Sequence, residues 1–424
     1  MRLIEFRENF LLQIFGAVRR MLKHCIRLFL SYVLRVVPLS LELSNITSWA
    51  MIEVTSKCNL RCVYCGKSTS SEEGQRIFSF PEDQILPTIE LLKKRGLDLL
   101  YMSGIGETTT REGWDRICRT TLSTGVKHTI ITNLARPLSD VEAEVLAQFC
   151  SVQVSVDTAD PDLFSRIRRG AELSTVLANM DRIREAACRI GVRGPELRFD
   201  MVVCDKTVHG LVKTVQLGLK YGVTDFYFAG LFKLKDVEGA LNVYPVKTLP
   251  RSELVTALKA LEDAIFLAQE YGCKVQVHEG LLESIKVQLS TALSCPEDDG
   301  FPSWDAPSLD KGWTRDCMDP WSMVFLYAQG EVRPCCAYNK GIGNLNEDPL
   351  LAIINGYEVL NIRRNLLSGS LDGMMCAHCS MKNPITIEDF RKNVKELRLK
   401  GILCSCIGKR LTDRLAVWLR SKDI

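Results

Sequence analysis

Between Ala50 and Gly230 the chain alternates short apolar runs with helical stretches, and this alternation restricts the fold more than any other feature. Ala50–Thr55, Leu97–Ser103, Lys127–Thr132, Ser151–Asp157, Leu197–Cys204 and Asp225–Ala229 are rich in Val, Ile, Phe and Tyr and read as buried strands. Pro81–Arg95, Arg111–Thr124, Ser139–Phe149, Ser174–Ile190 and Val208–Tyr221 read as the helices between them, several closed by Gly96, Gly125, Gly191 or Gly222. Six such units with short connections predict a parallel sheet, either doubly wound or curled into a partial barrel. In both, chemistry belongs at the C-terminal ends of the strands.

Cys58-Asn-Leu-Arg-Cys62-Val-Tyr-Cys65 follows the first strand directly. Three thiolates with no His or fourth Cys beside them leave one coordination position open, whereas structural zinc is closed by four ligands. Cysteine-only ligation with an open position suits an iron–sulfur cluster that must bind a substrate. A zinc site completed by a remote residue is the alternative. The 17 cysteines do not imply disulfides. Their number is odd, and the apolar run Phe10–Val18 meets Arg19, Arg20 and Lys23 with no small-residue cleavage site between. Reduced thiols in a cytoplasmic setting are expected.

A second set lies downstream: Cys317-Met-Asp-Pro-Trp321, Gly330-Glu-Val-Arg-Pro-Cys335-Cys336, Gly343-Asn344-Leu345 and Cys376-Ala-His-Cys379. Strands on either side of Gln329-Gly330 predict a hairpin that delivers Cys335 close to Cys317. Cys376 and Cys379 then complete a four-thiolate site, which suits zinc as well as iron. Cys336 is an alternative to Cys335, and Cys404 and Cys406 are candidates for a further site. Cys25, Cys118, Cys150, Cys188 and Cys273 fall in apolar patterns and are expected in the core; Cys295 has no assignment.

The first cysteine loop, C-x3-C-x-aromatic-C after the first strand, resembles the radical S-adenosylmethionine (radical SAM) superfamily. The resemblance implies a [4Fe–4S] cluster on Cys58, Cys62 and Cys65, with the amino and carboxylate groups of S-adenosylmethionine on the fourth iron. Ser103-Gly104-Ile105-Gly106-Glu107-Thr108 is similar to the family's Gly-Gly-Glu-Pro element, with Thr108 in place of Pro. Gly104 and Gly106 would allow close approach, and Glu107 would accept from the methionine ammonium. Thr132-Asn133 resembles the Thr-Asn-Gly turn, with Leu134 in place of Gly, Ser155 stands where a ribose-binding hydroxyl is common, and Tyr64 would pack near the adenine. The downstream order of Cys, Trp, Gly-x-Val-x-Pro-Cys, Gly-Asn-Leu and Cys-x2-Cys resembles the SPASM/twitch auxiliary domain, implying one auxiliary [4Fe–4S] cluster on Cys317, Cys335, Cys376 and Cys379. The expected fold is α/β: a partial (β/α)6 barrel followed by a small β-hairpin-plus-helix iron–sulfur domain. A fully ligated auxiliary cluster implies electron transfer, hence oxidation or epimerisation. For an epimerase, Cys204 at the end of the fifth strand is the candidate hydrogen donor, with a buried structural role as its alternative.

Charge is uneven along the chain. Residues 1–37 hold seven Lys/Arg against two Asp/Glu, and 391–424 hold ten against three, so the overall +3 leaves −9 for the middle. Phe6–Val37 reads as an amphipathic helix, with Phe10, Phe15 and Phe29 among its apolar residues and a stripe of Arg19, Arg20, Lys23, Arg27 and Arg35. No uncharged apolar run reaches the ~18 residues of a spanning helix, so an interfacial helix on an anionic cytoplasmic leaflet is expected. Leu403, Ile407, Leu411, Leu415 and Leu419 repeat every four residues in the C-terminal segment, read as a second surface helix or a cap on the body. The expected organisation is a basic N-terminal helix (1–47), the barrel (48–230), an extension and linker (231–310) with a helix Arg251–Tyr271 and a strand Lys274–His278, the auxiliary domain (311–385) and a basic helical tail (386–424). The first functional reading is a radical enzyme that dehydrogenates, epimerises or rearranges a small polar or lipid-linked metabolite, supplied with electrons by a flavodoxin or ferredoxin. A peptide or protein maturase is the second, weakened because residues 1–48 look unlike a winged-helix leader-binding domain. The third is a non-catalytic iron–sulfur or zinc scaffold, against which the intact Glu107 element stands. No nucleic-acid partner is expected, because the basic residues gather at the apolar ends.

Overall fold

The computed structural model of the 424-residue chain describes residues 21–26, 28–29, 32–33, 39–41, 48–69, 76–231, 241–278, 280–290, 309–338, 340–379, 381–407 and 411–414. Seven parallel strands follow the chain in order: β1 Trp49–Ile52, β2 Leu99–Met102, β3 Lys127–Thr132, β4 Ser151–Ser155, β5 Glu196–Val203, β6 Asp225–Gly230 and β7 Lys274–Val277. A doubly wound sheet reverses direction at a switch point. Here each strand lies beside its predecessor throughout, so the sheet is wound one way, as in a barrel.

Strands on both edges enlarge this sheet. β7, the strand expected at Lys274–His278 in the extension, pairs parallel with β6. On the other edge β9 (Met323–Leu326) pairs parallel with β1, Trp49 opposite Met323 and Ile52 opposite Leu326. β10 (Glu331–Arg333) and β11 (Gly343–Asn344) continue the same sheet antiparallel. The auxiliary hairpin is thus an extension of the barrel wall. β8 (Trp313–Arg315) and β12 (Pro384–Thr386) form a separate two-stranded sheet.

The period of two along each strand separates the faces. In β5, Leu197, Phe199, Met201 and Val203 are buried against the helices, while Arg198, Asp200 and Val202 face the other way. Phe199 meets Phe226 edge to face at 6.1 Å beneath the helix Leu211–Lys220. Local signals fix the helices. Ser139 and Glu142 form a reciprocal capping box on Asp140–Ala147, and Asp160 caps Pro161–Ile167, a helix the apolar pattern did not announce. Further down the chain, Trp321 is buried, donates from Nε1 to the Ser40 carbonyl at 3.1 Å, and packs on Phe390 of the helix Ile387–Ile407. The first turns of that last helix therefore belong to the body.

At the N-terminal end, Met21, Leu22, Leu28, Phe29 and Tyr32 are exposed, whereas Lys23 is buried, which removes it from the expected basic stripe. The other arginines of the stripe lie outside the described residues. No helix among the described residues is long and apolar enough to cross a membrane. Of the cysteines expected in the core, Cys118 is buried and Cys273 half-buried, but Cys25, Cys150 and Cys188 are exposed. Cys188 sits one position past the buried Ala186–Ala187 pair, on the outer side of its helix, and Cys150 closes a turn at the solvent edge before β4. Cys295 and the side chain of Cys404 lie outside the described residues; Cys406 is exposed.

Candidate active site

The loop after β1 crosses the C-terminal edge of the sheet and is strapped there by backbone bonds. Arg61 N–H donates to Arg169 O and Val63 N–H to Ile167 O, both at 3.0 Å. Cys58 and Cys65 are half-buried and Cys62 is buried. Cys58 Sγ accepts from the Leu60 N–H at 3.4 Å and faces the Asn133 amide at 3.9 Å. Burial pushes Cys62 up to about 12, opposed by the Arg168 guanidinium, and raises Cys58 as well. Cys65 and Cys58 add to the upward push on Cys62, and Cys65 to that on Cys58, so the three share one neighbourhood, and iron binding there must displace protons.

The other motifs gather around a carboxylate. Glu107 is buried, with Oε1 accepting from Thr109 N–H (3.2 Å), the Thr109 hydroxyl (2.9 Å) and the Thr132 hydroxyl (2.8 Å), and Oε2 from Asn133 N–H (2.8 Å). A carboxylate offers about four acceptor sites. Glu107 therefore serves as a strut that ties the loop after β2 to the end of β3, instead of pointing at a ligand's ammonium as expected. Thr108, where Pro was expected, donates its hydroxyl to Met102 O at 2.9 Å. Gly106 could not be any other residue without movement: a Cβ there would lie 2.2 Å from Thr55 O. Leu134 occupies the place of the expected glycine and adopts its left-handed backbone, φ 47°. Asn179 holds that turn, donating to Leu134 O and Arg136 O and accepting from Leu138 N–H.

Tyr64 is also turned inward. Its hydroxyl donates to Asp157 Oδ2 at 2.7 Å, and Arg168 forks onto the same carboxylate at 2.8 and 2.9 Å while lying 5.7 Å from the tyrosine ring. Asp157 is fully buried and accepts a fourth bond from Val202 N–H. Sequence reading passed over this pair because Asp157 and Arg168 are each unremarkable alone. Ser155 is half-buried at the end of β4, opposite Asp200. Below it lies a polar row on the face turned from the helices. Arg198 donates to Asp200 Oδ1 (2.5 Å), Asp200 Oδ2 (3.0 Å) and Gln153 Oε1 (2.6 Å), and sits 5.3 Å from the Tyr227 ring. Burial lifts the Asp200 carboxyl even though Arg198 pulls it down. Two charges at i and i+2 inside an apolar strand were the available signal. Cys204 is buried among Val63, Ile167, Leu231 and Val243, and a substrate could reach its thiol only by displacing that packing.

In the second set, Cys317 is buried, Cys335, Cys376 and Cys379 are half-buried, and Cys336 is exposed. Burial pushes Cys335 up to about 12 and Cys376 up to about 11. Arg315 donates to Ala377 O at 2.7 Å, tying β8 to the turn that carries Cys376 and Cys379, and Lys382 pairs with Asp319 at 2.8 Å. The Gly-Asn-Leu element acts at the hairpin: Asn344 and Asn346 both donate to Gln329 O, and Leu345 N–H to Gly330 O. Among the described residues no three metal-ligating side chains converge closely enough for a single ion. Tetrahedral zinc requires its sulfurs ~3.8 Å apart given bonds of ~2.3 Å. By donor chemistry, three thiols with one position left open and four thiols with no other ligand type both suit a four-iron cube.

A model of the radical SAM superfamily matches residues 52–194, and one of the SPASM iron-sulfur cluster-binding domain matches residues 317–380. The chain carries a radical SAM domain followed by a SPASM domain. These domains imply [4Fe–4S] clusters and S-adenosylmethionine as its cofactors. Over 140 residues the chain is 30% identical to a GTP 3',8-cyclase of Actinobacillus succinogenes, covering 32% of this chain and 41% of that one. A probable GTP 3',8-cyclase of Methanococcus aeolicus is 26% identical over 178 residues, 41% of this chain and 56% of that one. The chain thus spans about half the length of the curated relatives it matches. Among solved structures, Streptococcus suis SuiB bound to precursor peptide SuiA superposes with a TM-score of 0.54 at 16% identity, over 76% of this chain and 67% of that one. Native anSMEcpe with bound AdoMet gives 0.50 at 16%, over 87% and 99%. At such identities the likeness is one of fold.

Proposed function

We propose that this chain reductively cleaves S-adenosylmethionine and abstracts hydrogen from a small polar or lipid-linked metabolite, leading to dehydrogenation, epimerisation or rearrangement. The observation that carries the reading is the convergence of the Cys58–Cys65 loop, the Gly104–Glu107 loop and Thr132-Asn133 at one sheet edge, joined through Glu107 and through Asn133 beside Cys58. Cys58, Cys62 and Cys65 would hold the first cluster. When bound, that cluster and its S-adenosylmethionine supply a 5′-deoxyadenosyl radical. The exposed Gly104–Ile105 backbone would receive the methionine amino group, since the Glu107 carboxylate is occupied by its own chain. Arg198, Asp200, Gln153 and Ser155 would orient a polar substrate along the inner face. Cys317, Cys335, Cys376 and Cys379 would hold an auxiliary cluster that takes up or relays the substrate's electron, with Cys336 as the alternative to Cys335. A flavodoxin or ferredoxin is the expected reductant. The exposed Met21, Leu22, Leu28, Phe29 and Tyr32, together with the positive N-terminal segment, support docking on an anionic membrane face.

Anaerobic reconstitution followed by S-adenosylmethionine and a reductant tests the reading. The expected result is about eight irons per chain and release of 5′-deoxyadenosine. The Cys58→Ala variant loses that release; unchanged release sinks the assignment. Iron uptake without any release would favour the scaffold reading. A maturase remains the second reading, because SuiB was solved with a precursor peptide. A short precursor-like open reading frame beside the gene would support it.

A further inference from the structure

Glu53 is a buried acid one residue past β1, and its carboxylate collects three backbone donors from two remote segments. Oε1 accepts from Ile105 N–H at 2.5 Å and Gly106 N–H at 3.0 Å. Oε2 accepts from Ala328 N–H at 3.1 Å, in the turn between β9 and β10. Its own N–H donates to Leu326 O at 2.8 Å, continuing the β1–β9 ladder. The glycine at 104 is shaped around this side chain, since a Cβ there would lie 2.4 Å from Glu53 Cγ and Oε1. The hairpin that Glu53 grips runs through β10, where Arg333 stacks 4.5 Å from Tyr327, and ends two residues later at Cys335.

We propose that Glu53 is a positioning residue that couples the S-adenosylmethionine loop to the auxiliary hairpin, so that cofactor binding at one is felt at the other. The proposal rests on the cofactor reading given above. A single carboxylate cannot follow two segments that move apart, so ordering Gly104–Gly106 around a ligand also orders the turn at Ala328. Coupling of this kind is reciprocal in free energy: an ordered auxiliary site tightens S-adenosylmethionine binding by the factor that S-adenosylmethionine stabilises the hairpin. A glutamine at this position would turn an NH2 group toward N–H donors and lose one of the three bonds.

The test is anaerobic hydrogen exchange on the reconstituted full chain, with and without saturating S-adenosylmethionine, beside a binding titration with the same compound. In the wild type, S-adenosylmethionine is expected to slow exchange in peptides covering 102–108 and also 323–334. Glu53→Gln loses the second protection and binds S-adenosylmethionine about tenfold more weakly, while its iron content stays that of the wild type. Glu53→Asp, shorter by one methylene, shows the same loss. Overturning results are a 323–334 response absent from the wild type, or one that persists in Glu53→Gln. The wild-type comparison decides the matter even where a variant fails to fold. No protection anywhere, with no 5′-deoxyadenosine formed, would overturn the cofactor reading and the coupling together.

Discussion

His128 shows how one buried side chain can set a pH limit. Its ring is 1% exposed, with Nδ1 2.8 Å from Val126 O and Nε2 2.8 Å from the Thr121 hydroxyl. Burial brings its pKa down from 6.5 to about 4, so the folded ring is neutral: Nδ1–H donates and Nε2 accepts from Thr121. Above pH ~6.5 both folded and unfolded rings are neutral and stability is complete; as pH falls toward ~4 only the unfolded state gains the proton, and stability is lost. Between pH 7 and 5 the wild type should lose about 2 kcal/mol more than His128→Gln, read from urea unfolding at the two pH values. At this scale the sequence was legible where chemistry is local. Cys58, Cys62 and Cys65 announce themselves by spacing within eight residues. Glu53 could not, because its partners lie 52 to 275 positions away and are backbone groups that no residue type marks.

At the scale of elements, the turn after β3 sets strain against burial. Leu134 is fully buried yet holds a left-handed backbone at a cost of roughly 1–2 kcal/mol. The family pattern suggests that glycine would be better there. The larger magnitude lies with packing, since truncating a buried Leu costs about 2–5 kcal/mol. Leu134→Gly should therefore destabilise by about 2 kcal/mol, seen as a lower urea midpoint with unchanged slope. A stabilised variant would show that the side chain packs loosely. The alternation of strands and helices was legible because apolar period and glycine caps are local. The pairing of β9 with β1 was not: nothing in Met323–Leu326 specifies which distant edge it will join. For the same reason, the hairpin read as part of a separate domain.

At the scale of the whole molecule, an acidic middle stands between two basic ends. Exposed Phe29 and Tyr32 beside Met21, Leu22 and Leu28 give the N-terminal end an apolar surface that water disfavours. Flotation with vesicles containing anionic lipid should carry the full chain and leave a 38–424 truncation behind, with the difference shrinking at high salt. Equal flotation would remove the N-terminal anchor. The join between β1 and β9 has a consequence for how the molecule is made. A ribosome delivers β1 about 270 residues before its outer neighbour, at ~5–20 residues per second. Throughout that interval the nascent barrel presents a bare strand edge, a template for pairing with other chains. Synthesis that stops short of Leu326 would leave the edge permanently open, and such fragments should be found in aggregates or on chaperones.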